Sequence, residues 1–246
     1  MNILGIIPAR YASTRFPGKP LVDIAGKSMI QRVYEQSKKC IHLAEVIVAT
    51  DDERIYKHVH DFGGSAIITS PLHQSGTDRC AEVALQHPQY DVIINIQGDE
   101  PFIDPEQIGK LVFCFNDAGT QIATLTKKIQ TNEELFNVNS PKVVINKLSE
   151  AVYFSRSPLP HIRGQEAKNW LQYFSYFKHI GIYGYRADVL QQITKLPVSS
   201  LEKAESLEQL RWIENGYLIK VAETELETYA VDTPEDLEKL KQNIKL

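Results

Sequence analysis

Three cations follow an apolar strand near the start of the chain, in the segment 6–20. Arg10, Arg15 and Lys19 are interleaved with hydroxyl side chains and with a glycine, which allows a backbone to approach a ligand closely. A guanidinium forks onto phosphate oxygens, and an ammonium acts as a mobile point charge. The segment therefore predicts a site for a polyphosphate, with a solvated basic loop as the alternative.

Two well-known phosphate motifs do not account for this segment. Gly26-Lys27-Ser28 resembles the end of a P-loop, but the first glycine of that motif would fall on Leu21. No GxGxxG sequence follows the first strand, which disfavours a dinucleotide-binding Rossmann enzyme. The sequence thus indicates a phosphate loop of another kind.

Two acids far apart in sequence could hold a divalent cation. Asp99 follows a strongly apolar strand, and ligands of open α/β sheets bind beyond the carboxyl ends of strands. Asp232 stands just before a predicted helix start at Thr233-Pro234. Mg²⁺ is often bound by one or two carboxylates together with phosphates and water. A plain turn at Asp99 and a helix-dipole role for Asp232 are the structural alternatives.

A fourth polar segment, 73–79, leads into a predicted helix. Its donors and acceptors could read a base or a ribose, and a helix N-terminus attracts anions. An ordinary capped helix start would use the same residues, so both interpretations stay open.

The elements that must position these groups alternate between strands and helices. The predicted strands are 3–7, 46–49, 66–69, 92–96 and 122–125, and the predicted helices between them are 29–38, 54–62, 77–85 and 108–115. This alternation implies right-handed βαβ crossovers and a parallel sheet.

The pattern changes after about residue 136. Closely spaced strands at 143–145, 152–154 and 180–185 indicate an antiparallel extension, and 155–177 could form a flap or a subunit surface. Helical patterns return at 204–214 and 235–244. One domain over 1–246, with an inserted subregion at about 137–200, is the simplest organisation.

Composition excludes several classes of function. The net charge of −4 gives no global basic field for nucleic acid, and no apolar run approaches the length of a membrane span. Cys40, Cys80 and Cys114 have neither disulfide nor zinc spacing, so we expect buried thiols in a reducing cytoplasm.

Eight segments share the pattern of one protein family, in the same order along the chain. They are IPARYASTR at 7–15, PGKPL at 17–21, ATD at 49–51, HQSGTDR at 73–79, QGDEP at 97–101, HIGIYGYR at 179–186, LEQLR at 207–211 and VDTPEDL at 231–237. Together they resemble the 3-deoxy-manno-octulosonate cytidylyltransferases, the CMP-Kdo synthetases of Gram-negative bacteria. Eight coincidences in register would be needed to produce this pattern by accident.

The resemblance implies an α/β fold with a Rossmann-like, mostly parallel sheet of the nucleotide-diphosphosugar transferase type. It implies a homodimer with an inserted antiparallel, sugar-binding and dimerisation subregion. It also implies that CTP and Kdo react to give CMP-Kdo and pyrophosphate, with Mg²⁺ as cofactor, and that Kdo is thereby activated in the cytoplasm for lipopolysaccharide synthesis.

The resemblance also implies roles for individual residues. The implied nucleotide-binding residues are Ala9, Arg10, Ser13, Arg15, Lys19, Gln74, Ser75 and Gln97. The implied sugar-binding residues are Gln97, Arg163, His179, Tyr183, Glu208 and Gln209. Asp99 and Asp232 are the implied metal ligands, and the implied catalytic residues are Arg15, Lys19, Asp99 and Asp232.

Two departures from the family pattern stand out. Ala230 occupies a position where the family usually has glycine, and the segment 158–176, which contains Arg163, matches no family motif. The alternative functions are a cytidylyltransferase for neuraminate or 8-amino-Kdo, and a non-catalytic nucleotide-binding protein on the same scaffold.

Overall fold

The computed structural model describes residues 1–12, 16–227 and 229–243, in which nine strands form a single sheet and two short strands form a hairpin. The strands are β1 (Ile3–Ala9), β2 (Asp23–Ile24), β3 (Lys27–Ser28), β4 (Glu45–Thr50), β5 (Ala66–Ile68), β6 (Val92–Asn95), β7 (Ile122–Lys128), β8 (Lys142–Ile145), β9 (Ala151–Ser155), β10 (Phe177–Arg186) and β11 (Ile219–Glu223).

The central order of the sheet is β11-β7-β10-β6-β1-β4-β5. All neighbours along this path are parallel except β10, which runs antiparallel to both β6 and β7. β8 pairs with β10 and β9 in antiparallel fashion, which confirms the predicted antiparallel extension. β10 itself lies in the middle of the sheet, so the subregion assigned to about 137–200 contributes a central strand.

Ten helices cover or flank the sheet in the part of the chain that the structure describes. They are α1 (Met29–Lys38), α2 (Glu53–Asp61), α3 (Gly76–Gln86), α4 (Pro105–Phe113), α5 (Asn132–Phe136), α6 (Trp170–Tyr173), α7 (Ala187–Ile193), α8 (Ser200–Glu205), α9 (Gln209–Glu214) and α10 (Pro234–Asn243). None of these helices has the length and apolar character needed to cross a bilayer.

Two apolar clusters explain why the central strands are apolar on both faces. α1, α2 and α4 pack in one cluster with Ile94, and α3, α7 and α9 pack in the other with Ile93. Successive residues of β6 therefore enter opposite cores, as the pleat of a strand requires. The predicted fold class and the first five strands and four helices are confirmed, with ends shifted by a few residues.

The predicted helix over 204–214 is wrong, because two helices occupy this region. α8 begins earlier, where Ser199 and Glu202 form a capping box, and it ends at Ser206, whose φ of 52° is left-handed. Leu207 then enters the core before α9 begins. Leu207 packs in the core and Glu208 contacts Thr77 of α3, so tertiary packing overrides the helical pattern.

Candidate active site

The carboxyl ends of β1 and β6 lie side by side and carry the first polar turn of the site. These strands are parallel neighbours, and Gly98 lies against the end of β1. A Cβ at Gly98 would be 2.9 Å from the carbonyl oxygen of Pro8, a contact that requires the backbone to shift. Glycine therefore allows the turn that holds Asp99 to rest directly on the end of β1.

A backbone hydrogen bond joins the two ends of the predicted phosphate loop. The amide of Gly18 donates to the carbonyl of Tyr11 at 2.9 Å, and Gly18 has a φ of 73°, which favours glycine. This closure places Lys19 beside the end of β1. Ser13 and Arg15, two of the predicted site residues, lie outside the described residues.

Lys19 lies between the two predicted metal-binding acids. Its Nζ donates to Oδ2 of Asp99 at 2.8 Å and to Oδ1 of Asp232 at 3.5 Å. The two carboxylates thus share one ammonium, and the structure brings these sequence-distant acids into one site. All three side chains keep some exposure, so a ligand can reach them.

Backbone contacts fix the segment that carries Asp232. The amide of Val231 donates to the carbonyl of Asp99 at 2.9 Å. Immediately afterwards, Thr233 and Asp236 exchange backbone-to-side-chain hydrogen bonds at 3.0 and 3.2 Å, which cap α10 as the sequence predicts. Asp232 is therefore held between a backbone hydrogen bond and a helix cap.

A separate apolar cluster, here called the hinge cluster, packs behind the acids. Its members come from the phosphate loop, the β2–β3 hairpin, the turn after Asp99 and the segment through α10, and they are Phe16, Val22, Ile24, Met29, Phe102, Val231, Leu237 and Leu240. Packing in this cluster links the three segments that carry Lys19, Asp99 and Asp232.

A third acid, Glu100, follows Asp99 directly in the chain. Glu100 is buried, and its Oε2 has no hydrogen-bond partner. Burial and the neighbouring charge on Asp99 raise the pKa of Glu100 to about 8, so its carboxyl is neutral at pH 7. Asp99 and Asp232 are then the two acids that contact the ammonium of Lys19.

This donor set fits Mg²⁺. Two carboxylates are the usual protein contribution to a magnesium site that also uses phosphate oxygens and water. The described residues bring no group of three or more His, Cys, Asp or Glu side chains together. The remaining ligands would therefore come from the substrate and from solvent.

Arg10 joins the first strand to the predicted nucleotide segment. Its guanidinium Nη2 donates to the carbonyls of His73 at 2.5 Å and Ser75 at 3.4 Å. Ser75 is the N-cap of α3 and forms a capping box with Asp78. The segment therefore does form the capped helix start that was one of its two interpretations. Gln74 is exposed, and its amide donates to the carbonyl of Leu72.

Ala9 ends β1 and is buried opposite Thr50 of β4. Together with Arg10 and the 73–75 segment, it lines the same edge of the sheet as Lys19. The structure thus gathers the described nucleotide candidates at this edge.

Most of the predicted sugar residues are grouped around β10. The His179 and Tyr183 rings lie 5.2 Å apart, and the amide nitrogen of Gln97 donates to the carbonyl of Gly181 at 2.8 Å. Glu208 accepts a 2.7 Å hydrogen bond from Thr77, and burial raises its pKa. Gln209 is buried at the start of α9.

Arg163 is not brought into this group. It is exposed in the connection between β9 and α6, next to Gly164. Among the residues that the structure describes, no hydrogen bond or ion pair joins Arg163 to the other sugar candidates. Its predicted role therefore has no support from the geometry.

Sequence reasoning missed two threonines that bind site residues. Thr77 donates to Glu208, and Thr124 of β7 contacts the Nε2 of His179 at 3.0 Å. Both are buried. Thr77 lies inside the matched 73–79 segment, whereas Thr124 is one of several residues in an apolar strand and has no distinguishing sequence signal.

Comparison with solved structures defines the class of the protein. The chain superposes on a CMP:2-keto-3-deoxy-manno-octonic acid synthetase complexed with CTP, with a TM-score of 0.91, 45% identity and 98% coverage of both chains. A 4-diphosphocytidyl-2C-methyl-D-erythritol synthase from Anaerococcus prevotii shares the fold at a TM-score of 0.63 and 12% identity, with 98% of this chain and 97% of that chain covered. The fold is that of a nucleotidyltransferase.

Sequence comparison narrows the class. A family model described as Cytidylyltransferase matches residues 4–223. The 3-deoxy-manno-octulosonate cytidylyltransferase of Parabacteroides distasonis is 61% identical over 97% of this chain and 96% of its own length. The 3-deoxy-manno-octulosonate cytidylyltransferase of Phocaeicola vulgatus is 56% identical over 100% of this chain and 98% of its own length. The chain belongs to the 3-deoxy-manno-octulosonate cytidylyltransferase family, as its motifs predict.

Proposed function

We propose that this protein joins CTP to Kdo, giving CMP-Kdo and pyrophosphate. The observation that carries the proposal is the meeting of Asp99 and Asp232 on the ammonium of Lys19, at the carboxyl edge of the sheet. The chain matches 96% and 98% of the lengths of two 3-deoxy-manno-octulosonate cytidylyltransferases, which supports the proposal.

The reaction is a nucleotidyl transfer. The anomeric hydroxyl oxygen of Kdo forms a bond to the α-phosphorus of CTP, the bond to the β-phosphate oxygen breaks, and pyrophosphate leaves. The hydroxyl proton passes to solvent. Catalysis of phosphoryl transfer depends mainly on positioning and on neutralisation of charge. Lys19 would neutralise charge that develops on the phosphates.

Asp99 and Asp232 would hold Mg²⁺. When bound, Mg²⁺ lowers the pKa of a coordinated hydroxyl and neutralises phosphate charge. Arg10 orients the other side of the site, because its guanidinium ties the end of β1 to the carbonyls of the 73–75 segment.

We also propose that the protein acts as a cytoplasmic homodimer whose product serves lipopolysaccharide synthesis. The three cysteines are free thiols, in keeping with a reducing compartment. Large apolar side chains are exposed in the antiparallel region and its connections, at Phe136, Val138, Val152, Tyr173 and Phe174. Such exposure supports a subunit contact there, which light scattering of the purified protein would test.

Pyrophosphate release with a panel of substrates tests the main proposal. We expect turnover with CTP and Kdo in the presence of Mg²⁺, and loss of turnover when EDTA removes the metal. Preference for N-acetylneuraminate or 8-amino-Kdo would support the other cytidylyltransferases. CTP binding without pyrophosphate release from any sugar would support a non-catalytic nucleotide-binding protein.

A further inference from the structure

β10 contains an irregularity beside the proposed sugar site. Its pairing with β7 runs from Ile180 opposite Leu125 directly to Tyr183 opposite Thr124. Gly181 and Ile182 are therefore extra residues that have no partner in the ladder, as in a β-bulge. Bulges often occur next to functional sites, where they redirect side chains.

Side chains satisfy the carbonyl groups that the bulge releases. The hydroxyl of Thr124 lies 3.2 Å from the carbonyl oxygen of Ile180 and 2.8 Å from that of Ile182. The side-chain amide of Gln97 donates to the carbonyl of Gly181 at 2.8 Å. The bulge is therefore fixed by two side chains from neighbouring segments, β7 and the turn before Asp99.

The contacts of Thr124 determine where its only hydroxyl hydrogen lies. Both carbonyl oxygens are acceptors only, so the hydrogen must point toward them, and the 2.8 Å contact to Ile182 is the shorter. The Nε2 of His179 lies 3.0 Å from Thr124 Oγ1, and the hydroxyl of Tyr183, which can donate its own hydrogen, also interacts with this threonine. With its hydrogen already used, the oxygen can only accept in this contact, so Nε2 must carry a hydrogen.

Burial keeps the ring of His179 neutral, and two aromatic rings pack around it. Burial lowers the pKa of His179 to about 3, so the ring carries one hydrogen at neutral pH. Phe154 packs edge-on against the ring at 5.1 Å, and Tyr183 lies 5.2 Å away on another side. With Nε2 protonated, Nδ1 carries a lone pair and acts as an acceptor.

The Nδ1 atom is available for a ligand. It makes no hydrogen bond with any described residue, and the His179 side chain is only half-buried, so the residue keeps some exposure. An accessible acceptor attracts a hydroxyl hydrogen and repels a carboxylate. His179 therefore has the wrong polarity to hold the acid group of an ulosonic acid.

We propose that Thr124 is a positioning residue, which fixes His179 as the Nε2–H tautomer so that Nδ1 accepts a hydrogen bond from a sugar hydroxyl of Kdo. The choice of ligand rests on the proposed function, whereas the tautomer does not. The bulge thus sets the hydrogen-bonding polarity of one wall of the sugar site.

Nitrogen-15 NMR of the histidine rings in the full chain tests the tautomer directly. We expect His179, assigned by its loss in His179→Gln, to show the Nε2–H pattern at pH 7. Thr124→Val removes the hydroxyl and nearly keeps the shape, whereas Thr124→Ser keeps the hydroxyl. The valine variant should lose the pure Nε2–H pattern, and the serine variant should retain it.

Kinetics with Kdo test the consequence for binding. We expect the KM for Kdo to rise about tenfold in Thr124→Val and to return close to the wild-type value in Thr124→Ser, as for loss of one hydrogen bond. The KM for CTP should change less than about twofold. Equal increases in both KM values would indicate a general structural defect and overturn the proposal.

An Nδ1–H ring or an imidazolium in the wild type at pH 7 would also overturn it. Because the wild-type and serine spectra decide the tautomer alone, the test survives if Thr124→Val fails to fold. A protein with the expected tautomer but no pyrophosphate release would instead contradict the proposed function.

Discussion

The backbone amide of Val231 donates a 2.9 Å hydrogen bond to the carbonyl of Asp99. This contact joins the segment before one proposed metal ligand directly to the residue that is the other. The separation of the two carboxylates therefore depends on main-chain geometry as well as on side-chain rotamers. A site built in this way is pre-organised before substrate arrives.

Replacing either acid by its amide should abolish most turnover. Asp99→Asn and Asp232→Asn each remove one anionic ligand, so we expect kcat to fall at least about 10²-fold, or about 3 kcal/mol of transition-state stabilisation. Initial rates of pyrophosphate release at saturating CTP and Mg²⁺ measure this effect. Asp104→Asn, which changes a helix cap near Asp99, is the control and should keep its kcat. An acid variant with near-normal kcat would remove that carboxylate from the site.

Removing the shared ammonium should have opposite effects on metal binding and on catalysis. Without the charge of Lys19, the two carboxylates repel each other and attract a divalent cation more strongly. We therefore expect Lys19→Met to show a larger increase in Tm on addition of Mg²⁺ than the wild type, and at least about a tenfold lower kcat/KM for CTP. Lys27→Met removes an exposed ion pair with Glu35 and is the control. Equal Mg²⁺ responses in Lys19→Met and wild type would show that the acids do not form the cation site.

Glu208 should make stability depend on pH. Burial raises its pKa above the ordinary value of 4.5, so its proton stabilises the folded state below pH 4.5. This contribution is lost as pH rises through the raised pKa. Glu208→Gln does not titrate, so the wild type should lose stability relative to this variant between pH 4.5 and neutral pH. Urea unfolding of both proteins across this range measures the difference.

Glu214 offers a control of opposite sign. Hydrogen bonds from Ser199 and Ser200 lower its pKa, so its contribution is already complete above the ordinary value of 4.5 and is lost only at lower pH. Above pH 4.5 the stability difference between wild type and Glu214→Gln should stay constant. If the stability difference between wild type and Glu208→Gln were also constant above pH 4.5, it would contradict a pKa of Glu208 that burial raises.

The hinge cluster should affect catalysis as well as stability. Leu237 of α10 is buried there beside Val231, and truncating a buried leucine to alanine costs about 2–5 kcal/mol. We expect Leu237→Ala to lose stability and to lower the kcat of the folded fraction about tenfold, because Asp232 is then held less firmly. Leu111→Ala in the second half of α4 opens a comparable cavity in a main core. Leu111→Ala should lose as much stability as Leu237→Ala but keep the wild-type kcat. Equal kcat values for the two variants would show that the hinge cluster does not affect catalysis.

Local patterns in the sequence were sufficient to predict much of the fold. Apolar runs predict the central strands, and the predicted helix 29–38 coincides with α1. The N-cap of α4 is also local, since the carboxylate of Asp104 accepts from the amide of Glu106. These features depend on neighbouring residues, so a pattern of neighbours can reveal them.

The features that were missed depend on distant contacts. β11 is a short strand with polar positions that becomes a strand by pairing with β7. The break at Ser206 is set by burial of Leu207, and the contact between Thr124 and His179 depends on the register of two strands and a bulge. The site acids were found by motif, but their common contact with Lys19 required the folded structure.

The order of these elements along the chain has a consequence for biosynthesis. Every strand in the described part of the chain is complete by Glu223, whereas Asp232 comes later. A nascent polypeptide that has emerged only to Glu223 has all the segments that build the sheet, yet it holds just one of the paired carboxylates. Assembly of the scaffold and the onset of activity are therefore separable events during translation.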